Sequence, residues 1–114
     1  MSIKLTTRQV GDVIAVDVGG RVTLGEGSSS LGDTLRTLAA KGSKKILVNL
    51  AEVSYIDSSA IGELISGFTT ISKVNGQLKL TGLSKRVKDL LLITKNYTIF
   101  DIHDDEAAAI RSFT

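Results

Sequence analysis

Two kinds of hydrophobic spacing alternate along this chain. Short apolar runs typical of strands precede stretches in which apolar residues recur every three or four positions, the spacing of a helix face. The first two runs, residues 3–10 and 13–18, are joined by Gly11-Asp12 and predict a β-hairpin. Gly19-Gly20 is expected to end the second strand.

Strand and helix patterns alternate after this hairpin. Further strands are predicted at 44–50, 53–56, 77–81 and 99–102, and helices at 31–42, 59–74, 84–94 and 104–113. The Gly/Ser-rich segment 23–30 is expected to be a loop. The order predicts a single α/β domain over residues 1–114, with βαβ units and a mixed, mostly parallel sheet flanked by helices.

The junction Asp57-Ser58-Ser59-Ala60-Ile61-Gly62 follows a predicted strand and opens a predicted helix. Free backbone N–H groups and the positive end of the helix dipole gather at such a place, which suits a carboxylate or a phosphate. The loop at Thr23 also follows a strand, so both should lie at the carboxyl edge of the sheet. These residues alone leave open whether Asp57 or Ser58 only caps the helix or a serine is modified.

The junction resembles the Asp-Ser-Ser/Thr-Gly-Leu-Gly motif of the STAS domain, which is found in bacterial anti-sigma factor antagonists. The order of predicted elements fits that family over nearly the whole chain. Two positions differ from the family pattern. Ala60 stands where glycine is usual, and Gly20-Arg21-Val22-Thr23 stands where the family shows Gly-x-Leu-Asp.

The resemblance implies a phosphorylation-controlled binding module. Ser58, directly after the aspartate, would be phosphorylated by a partner that is both an anti-sigma factor and a serine kinase. The unmodified chain would bind this partner and free a sigma factor, and the phosphorylated chain would release it; a phosphatase would be a further partner. The implied partner-binding surface joins the 23–27 loop, the helix start at 58–59 and the exposed side of the helix through Glu63 and Lys73. Its members include Thr23, Asp57, Ser58, Ser59, Gly62 and Glu63.

Thr23 and Ala60 leave room for an alternative within the same family. In this alternative the chain is a STAS subunit that binds constitutively in a larger complex, in signalling or associated with transport, without phosphorylation. A third class, a small-molecule enzyme that uses Ser58, would need a base and an oxyanion site, and the sequence offers no pattern for them. We therefore expect no catalytic residues.

Composition limits the remaining classes of function. Apolar residues make up 42% and charged residues 23% of the 114 residues, a globular balance. Without cysteine there is neither a disulfide framework nor a thiolate metal site. A net charge of only +2 gives little support to nucleic-acid binding. No run approaches the roughly 18 apolar residues of a membrane span. We expect a cytoplasmic monomer without a metal or another cofactor.

Other candidate sites are better explained structurally. Asp57 follows a central strand, as the phosphorylated aspartate of receiver domains does. That chemistry needs Mg²⁺ held by further carboxylates, and the preceding strands end without an acidic pair. His103, the only histidine, is expected in a solvated turn and not in a triad with Ser58. The basic clusters around Lys44 and Arg86 are expected to be solvated faces, although the second could meet an acidic partner.

Overall fold

The computed structural model describes residues 3–113, in which strands and helices alternate after an opening hairpin. The elements are β1 (Ile3–Val10), β2 (Val13–Val22), α1 (Glu26–Ala40), β3 (Lys45–Ile56), α2 (Ser58–Lys73), β4 (Gln77–Thr81), α3 (Lys85–Ile93), β5 (Asp101–His103) and α4 (Glu106–Ser112). The predicted order of elements is confirmed.

The described strands form one mixed sheet in the order β1-β2-β3-β4-β5. β1 pairs with β2 antiparallel, and the other neighbours are parallel, so the predicted mixed, mostly parallel sheet is confirmed. β3 lies in the middle and is buried on both faces along its first half, as expected for a parallel strand covered by helices.

Helices pack on both faces of this sheet. Ile46 and Val48 join the core formed with α1, α2 and α3, whereas Leu47 packs with Val13 and Ala109 of α4. This alternation follows from the two-residue period of a strand. Lys79 of β4 faces α4 and is nearly buried, where its ammonium group donates to the carbonyl oxygen of Ser112 at 3.0 Å.

Two strands run further than the sequence predicts. β2 continues through Gly19-Gly20 to Val22, and the pairing with β3 shifts register between Asp17 and Gly19 and again between Gly20 and Arg21. The glycines therefore accommodate bulges and do not end the strand. The two predicted runs at 44–50 and 53–56 are one strand, since β3 pairs continuously past its exposed middle.

The predicted loop at 23–30 is wrong over most of its length, because α1 begins at Glu26. Gly27 lies against the end of β2, where an added Cβ atom would meet the Arg21 carbonyl oxygen at 3.0 Å. A glycine that allows two backbones to approach was mistaken for a sign of flexibility.

At the other end of the chain, β5 and α4 are shorter than predicted, and His103 belongs to β5 and not to a turn.

Candidate functional site

Asp57 is the N-cap of α2. Its Oδ1 atom accepts hydrogen bonds from the backbone N–H groups of Ser59 at 3.0 Å and Ala60 at 3.3 Å. The Ser59 hydroxyl also donates to this oxygen. These bonds satisfy donors that the first turn of a helix leaves free. The choice that the sequence left open between Asp57 and Ser58 is therefore resolved in favour of Asp57 as the cap.

The second carboxylate oxygen of Asp57 fixes the neighbouring loop. Oδ2 accepts a hydrogen bond from the Leu24 backbone N–H at 2.9 Å, and the Asp57 N–H donates to the Val22 carbonyl oxygen at 3.2 Å. The predicted proximity of the Thr23 loop and the helix start is thus present in the fold. Thr23 itself contributes its carbonyl oxygen, which accepts from Ser28 N–H at 2.9 Å and helps to start α1.

The surroundings of Asp57 favour its ionised form. Partial burial raises the pKa of this carboxyl group, but the hydrogen bond from the Ser59 hydroxyl, together with those from the N–H groups of Leu24, Ala60 and Ser59, outweighs it. The pKa of Asp57 consequently lies below its ordinary value of 3.8. A carboxylate is therefore fixed beside Ser58 at neutral pH.

Ser58 is the first residue of α2, and its side chain is exposed. No side chain or backbone group within residues 3–113 forms a hydrogen bond with its hydroxyl, in contrast to the engaged hydroxyl of Ser59. Gly62 lies one turn further on the same face of α2, and an added Cβ atom there would meet nothing within 4 Å. Ser58 therefore sits on an open part of the helix surface.

The remaining predicted surface residues lie further from this point. Glu63 turns toward α1, where its Oε1 atom is 3.4 Å from Arg36 and lies over Gly32. Lys73 ends α2, and fifteen residues of helical rise put it about 22 Å from Ser58. The structure thus brings together Thr23, Asp57, Ser58, Ser59 and Gly62, while Glu63 is partly engaged with α1 and Lys73 is remote.

Leu24 lies within the predicted 23–27 part of this surface, and the structure shows its side chain to be the exposed apolar group there. Its side chain is 81% exposed, although its backbone N–H is held by Asp57. Single exposed apolar side chains are common on protein surfaces, so Leu24 is of interest because of its position beside the start of α2 and not because of its exposure alone. A signal was present in the sequence, because Leu24 is an apolar residue within a polar segment, but burial could not be judged from the pattern.

Neither a catalytic pairing of His103 with Ser58 nor a metal site is formed by the described residues. His103 pairs with Thr81, which in turn pairs with Asn49, so the histidine is level with Asn49 on β3. From Asn49, β3 continues for about 23 Å to its end at Ile56, and Ser58 lies beyond that end. Within residues 3–113 no group of three histidine or acidic side chains is placed to hold a metal ion.

A cavity of about 610 Å³ lies over β1 and β2, away from Ser58, and its charged lining includes Arg8 and Asp17. These two side chains form an ion pair with each other, and Arg8 also pairs with Glu106 of α4. The arrangement fastens α4 to the sheet.

Across the described residues no helix has both the length and the hydrophobicity needed to cross a bilayer.

Comparison with known proteins agrees with this architecture. The STAS domain profile matches residues 4–109. The anti-sigma-B factor antagonist of Bacillus subtilis is 32% identical over 102 residues, covering 90% of this chain and 92% of that protein. The protein of the same name from Staphylococcus aureus is 28% identical over 94 residues, covering 82% and 86%.

Solved structures show the same fold at lower identity. An anti-sigma factor antagonist from Mycobacterium paratuberculosis has a TM-score of 0.88 at 15% identity, covering 98% of this chain and 94% of that one. The unphosphorylated anti-sigma factor antagonist SpoIIAA has a TM-score of 0.74 at 15% identity, covering 96% and 100%. The Bacillus SpoIIAA has also been solved in its phosphorylated form. With a family profile over almost its whole length and a relative at 32% identity, the chain belongs to the STAS domain family of anti-sigma factor antagonists.

Proposed function

We propose that this chain is an anti-sigma factor antagonist that is switched by phosphorylation of Ser58. When unmodified it binds an anti-sigma factor, and when phosphorylated it releases it. The observation that carries the proposal is the state of Ser58: its side chain is exposed at the start of α2, and its hydroxyl has no hydrogen-bond partner within residues 3–113.

The hydrogen bonds of the junction favour Ser58 over Ser59 as the phosphate acceptor. The Ser59 hydroxyl donates to Asp57 and is half-buried, so a kinase would have to break that bond and turn the side chain outward. The Ser58 hydroxyl needs no such rearrangement. The same residue is the one that the family motif places directly after the aspartate.

The proposed binding surface combines an apolar contact with the modifiable serine. Leu24 supplies the exposed apolar side chain, Ser58 and Gly62 supply an open helix face, and Asp57 holds the two parts together through its hydrogen bond to Leu24. A surface of this kind would lose water on binding, with its centre near the end of β3.

One phosphate on Ser58 is sufficient for a switch. It adds about −1.5 to −2 charges next to the ionised Asp57. Leaving such a charge unpaired in an interface costs several kcal/mol. Since about 1.4 kcal/mol weakens binding tenfold, a hundredfold loss of affinity needs only about 3 kcal/mol. SpoIIAA, which has the same fold, exists in both unphosphorylated and phosphorylated forms, which supports this mode of control.

A constitutive STAS subunit is the second candidate. Thr23 favours it, because the family pattern has an aspartate at this position, and the resemblance implies that this aspartate helps partner recognition. Thr23 presents no charge, and its backbone carbonyl is used inside the fold. In this alternative the same surface binds its partner and Ser58 stays unmodified.

Phosphorylation assays on matched variants separate the two candidates. The chain, Ser58→Ala and Ser59→Ala are incubated with ATP and the anti-sigma factor kinase of the source organism, and intact mass and site mapping are measured. We expect one phosphate on the wild type and on Ser59→Ala and none on Ser58→Ala. Phosphate on Ser59 alone would refute the assignment. An active kinase that modifies neither serine would favour the constitutive subunit.

A further inference from the structure

Two arginine side chains converge on one aromatic ring near the end of β3. The guanidinium carbon of Arg21 lies 4.6 Å from the centre of the Tyr55 ring, and that of Arg86 lies 5.3 Å from it. Arg21 and Tyr55 are paired across β2 and β3, whereas Arg86 comes from the first turn of α3. Three separate elements therefore build this cluster, which we call the Arg21–Tyr55–Arg86 cluster.

Neither guanidinium group is neutralised. Throughout residues 3–113, no carboxylate lies within 4.0 Å of Arg21 or Arg86. Arg8 and Arg36 differ, since Arg8 pairs with Asp17 and Glu106, and Arg36 pairs with Asp33. Arg111 also lacks a carboxylate partner among the described residues, but it lies alone on α4 and contacts no aromatic ring there. Both cluster arginines are exposed, so an external anion could reach them.

The start of α3 strengthens the positive potential. Its first turn contains no acidic residue, although cations are unfavourable at a helix N-terminus. Lys85 is paired with Asp89 at 2.9 Å, which leaves Arg86 as an unpaired charge of that turn. Two positive charges without a carboxylate partner therefore meet at one point of the surface, next to the positive end of the α3 dipole.

We propose that the Arg21–Tyr55–Arg86 cluster binds acidic side chains of the protein partner. Stacking on an aromatic ring holds a guanidinium group in place and leaves its N–H edge free, and that edge matches a carboxylate. The ring therefore organises two such groups before binding. The occupant is an acidic segment, because charge complementarity excludes a basic one.

The position of the cluster connects it with the surface around Ser58. Tyr55 precedes Asp57 by two residues, about 7 Å along the strand, and Arg21 precedes Thr23 by the same number. The partner's identity as an anti-sigma factor rests on the proposed function. The cluster would add a charged contact that selects an anti-sigma factor with an acidic segment at this point of its surface.

The site is tested first without any anti-sigma factor. An acetylated hexaglutamate peptide is titrated into the isotope-labelled chain at low salt, and amide and arginine side-chain shifts are recorded by NMR. We expect saturable shifts centred on Arg21, Tyr55 and Arg86. They should disappear in the double variant Arg21→Gln/Arg86→Gln and persist in Tyr55→Phe, which keeps the ring.

The controls are Arg111→Gln, which removes one positive charge from α4, and the single variants Arg21→Gln and Arg86→Gln, which remove the same single charge from the cluster. Helix α4 packs on Val13 and Leu47, near the opposite end of the strands. Arg111→Gln should bind the peptide as the wild type does, whereas each single variant of the cluster should bind it more weakly. Absent shifts, shifts spread over all basic residues, or equal binding by the double variant would each overturn the proposal.

Binding to the anti-sigma factor then tests the role of the cluster in the complex. The double variant should associate roughly tenfold more slowly at low salt, and its association rate should depend less steeply on salt, while Arg111→Gln should match the wild type. If the wild type does not bind the anti-sigma factor, the proposed function fails and the peptide result still decides the site. If the wild type and the double variant bind equally, the role of the cluster in this complex is refuted and the proposed function stands.

Discussion

At the scale of single residues, Asp57 and Ser58 divide two tasks between neighbouring positions. Asp57 uses both carboxylate oxygens inside the fold, one for the start of α2 and one for the Leu24 N–H. Ser58 has an exposed side chain that no described group engages. A phosphate on Ser58 would therefore change the surface without removing a hydrogen bond that the fold needs.

This division predicts different stabilities for two alanine variants. Asp57→Ala should lower the free energy of unfolding by about 0.5–2 kcal/mol, because the first turn of α2 loses its cap. Ser58→Ala should change it by less than about 0.5 kcal/mol, as is usual at an exposed position. Chemical denaturation of both variants measures the difference. Equal losses would mean that the Ser58 hydroxyl takes part in capping.

The lowered pKa of Asp57 predicts a pH dependence. A carboxyl group whose pKa is lower in the folded than in the unfolded chain stabilises the fold fully above the unfolded pKa. This stabilisation is lost as the pH falls through the folded pKa. The free-energy gap between the wild type and Asp57→Asn should therefore be constant near neutral pH and shrink below about pH 4.

Urea unfolding of both proteins between neutral pH and about pH 3 checks this expectation. The lowered pKa values of Asp17 and Asp101 affect both proteins equally and cancel in the difference. A gap that stays constant to the lowest pH would show that the charge of Asp57 does not contribute.

The position of the junction between β3 and α2 could be predicted from the sequence, but the separate roles of Asp57 and Ser58 could not. The order strand, Asp57, Ser58, helix could be predicted because hydrophobic periodicity changes there. Which oxygen caps the helix depends on side-chain direction, which the pattern does not contain. The Arg21–Tyr55–Arg86 cluster needs the β2–β3 register and the approach of α3, so only one of its members, Arg86, drew attention in the sequence.

At the scale of elements, glycines determine how closely α1 and α2 approach their neighbours. Gly27 allows α1 to start against β2, and Gly67 allows α2 to pack on Leu35 of α1. Glycine predicts a loop from sequence, and this prediction is wrong at Gly27, which is buried against the backbone of β2. Helices and strands with clear periodicity, such as α2, α3 and β4, were predicted to within a few residues.

Two glycines of α2 predict opposite effects of the same substitution. At Gly62 an added Cβ atom meets nothing within 4 Å, so Gly62→Ala should raise the free energy of unfolding by about 0.4–1 kcal/mol. At Gly67 it would lie 2.5 Å from Leu35 Cδ1, so Gly67→Ala should lower it by about 1–3 kcal/mol. Denaturation curves of the two variants measure this contrast. A neutral Gly67→Ala would contradict the close packing of α1 and α2.

At the scale of the whole molecule, the parallel sheet gathers the functional groups at one edge. β2 and β3 both end there, which places the Leu24 loop beside Ser58 and puts Arg21 next to Tyr55. The opposite half of the sheet is covered by α4, which is fastened through Arg8 and Lys79. The fold thus separates a stabilised region from a surface that is open to a partner.

The central claim is that phosphate on Ser58 releases the partner. The most direct measurement is the dissociation constant of the anti-sigma factor for the unmodified chain and for the chain with phosphoserine incorporated at position 58. As a matched control, phosphoserine is placed at the exposed Ser72, about 21 Å away on α2. We predict an affinity at least about a hundredfold weaker for phosphoserine at position 58 and nearly unchanged affinity for the control. Equal affinities of the unmodified and Ser58-phosphorylated chains would contradict the account.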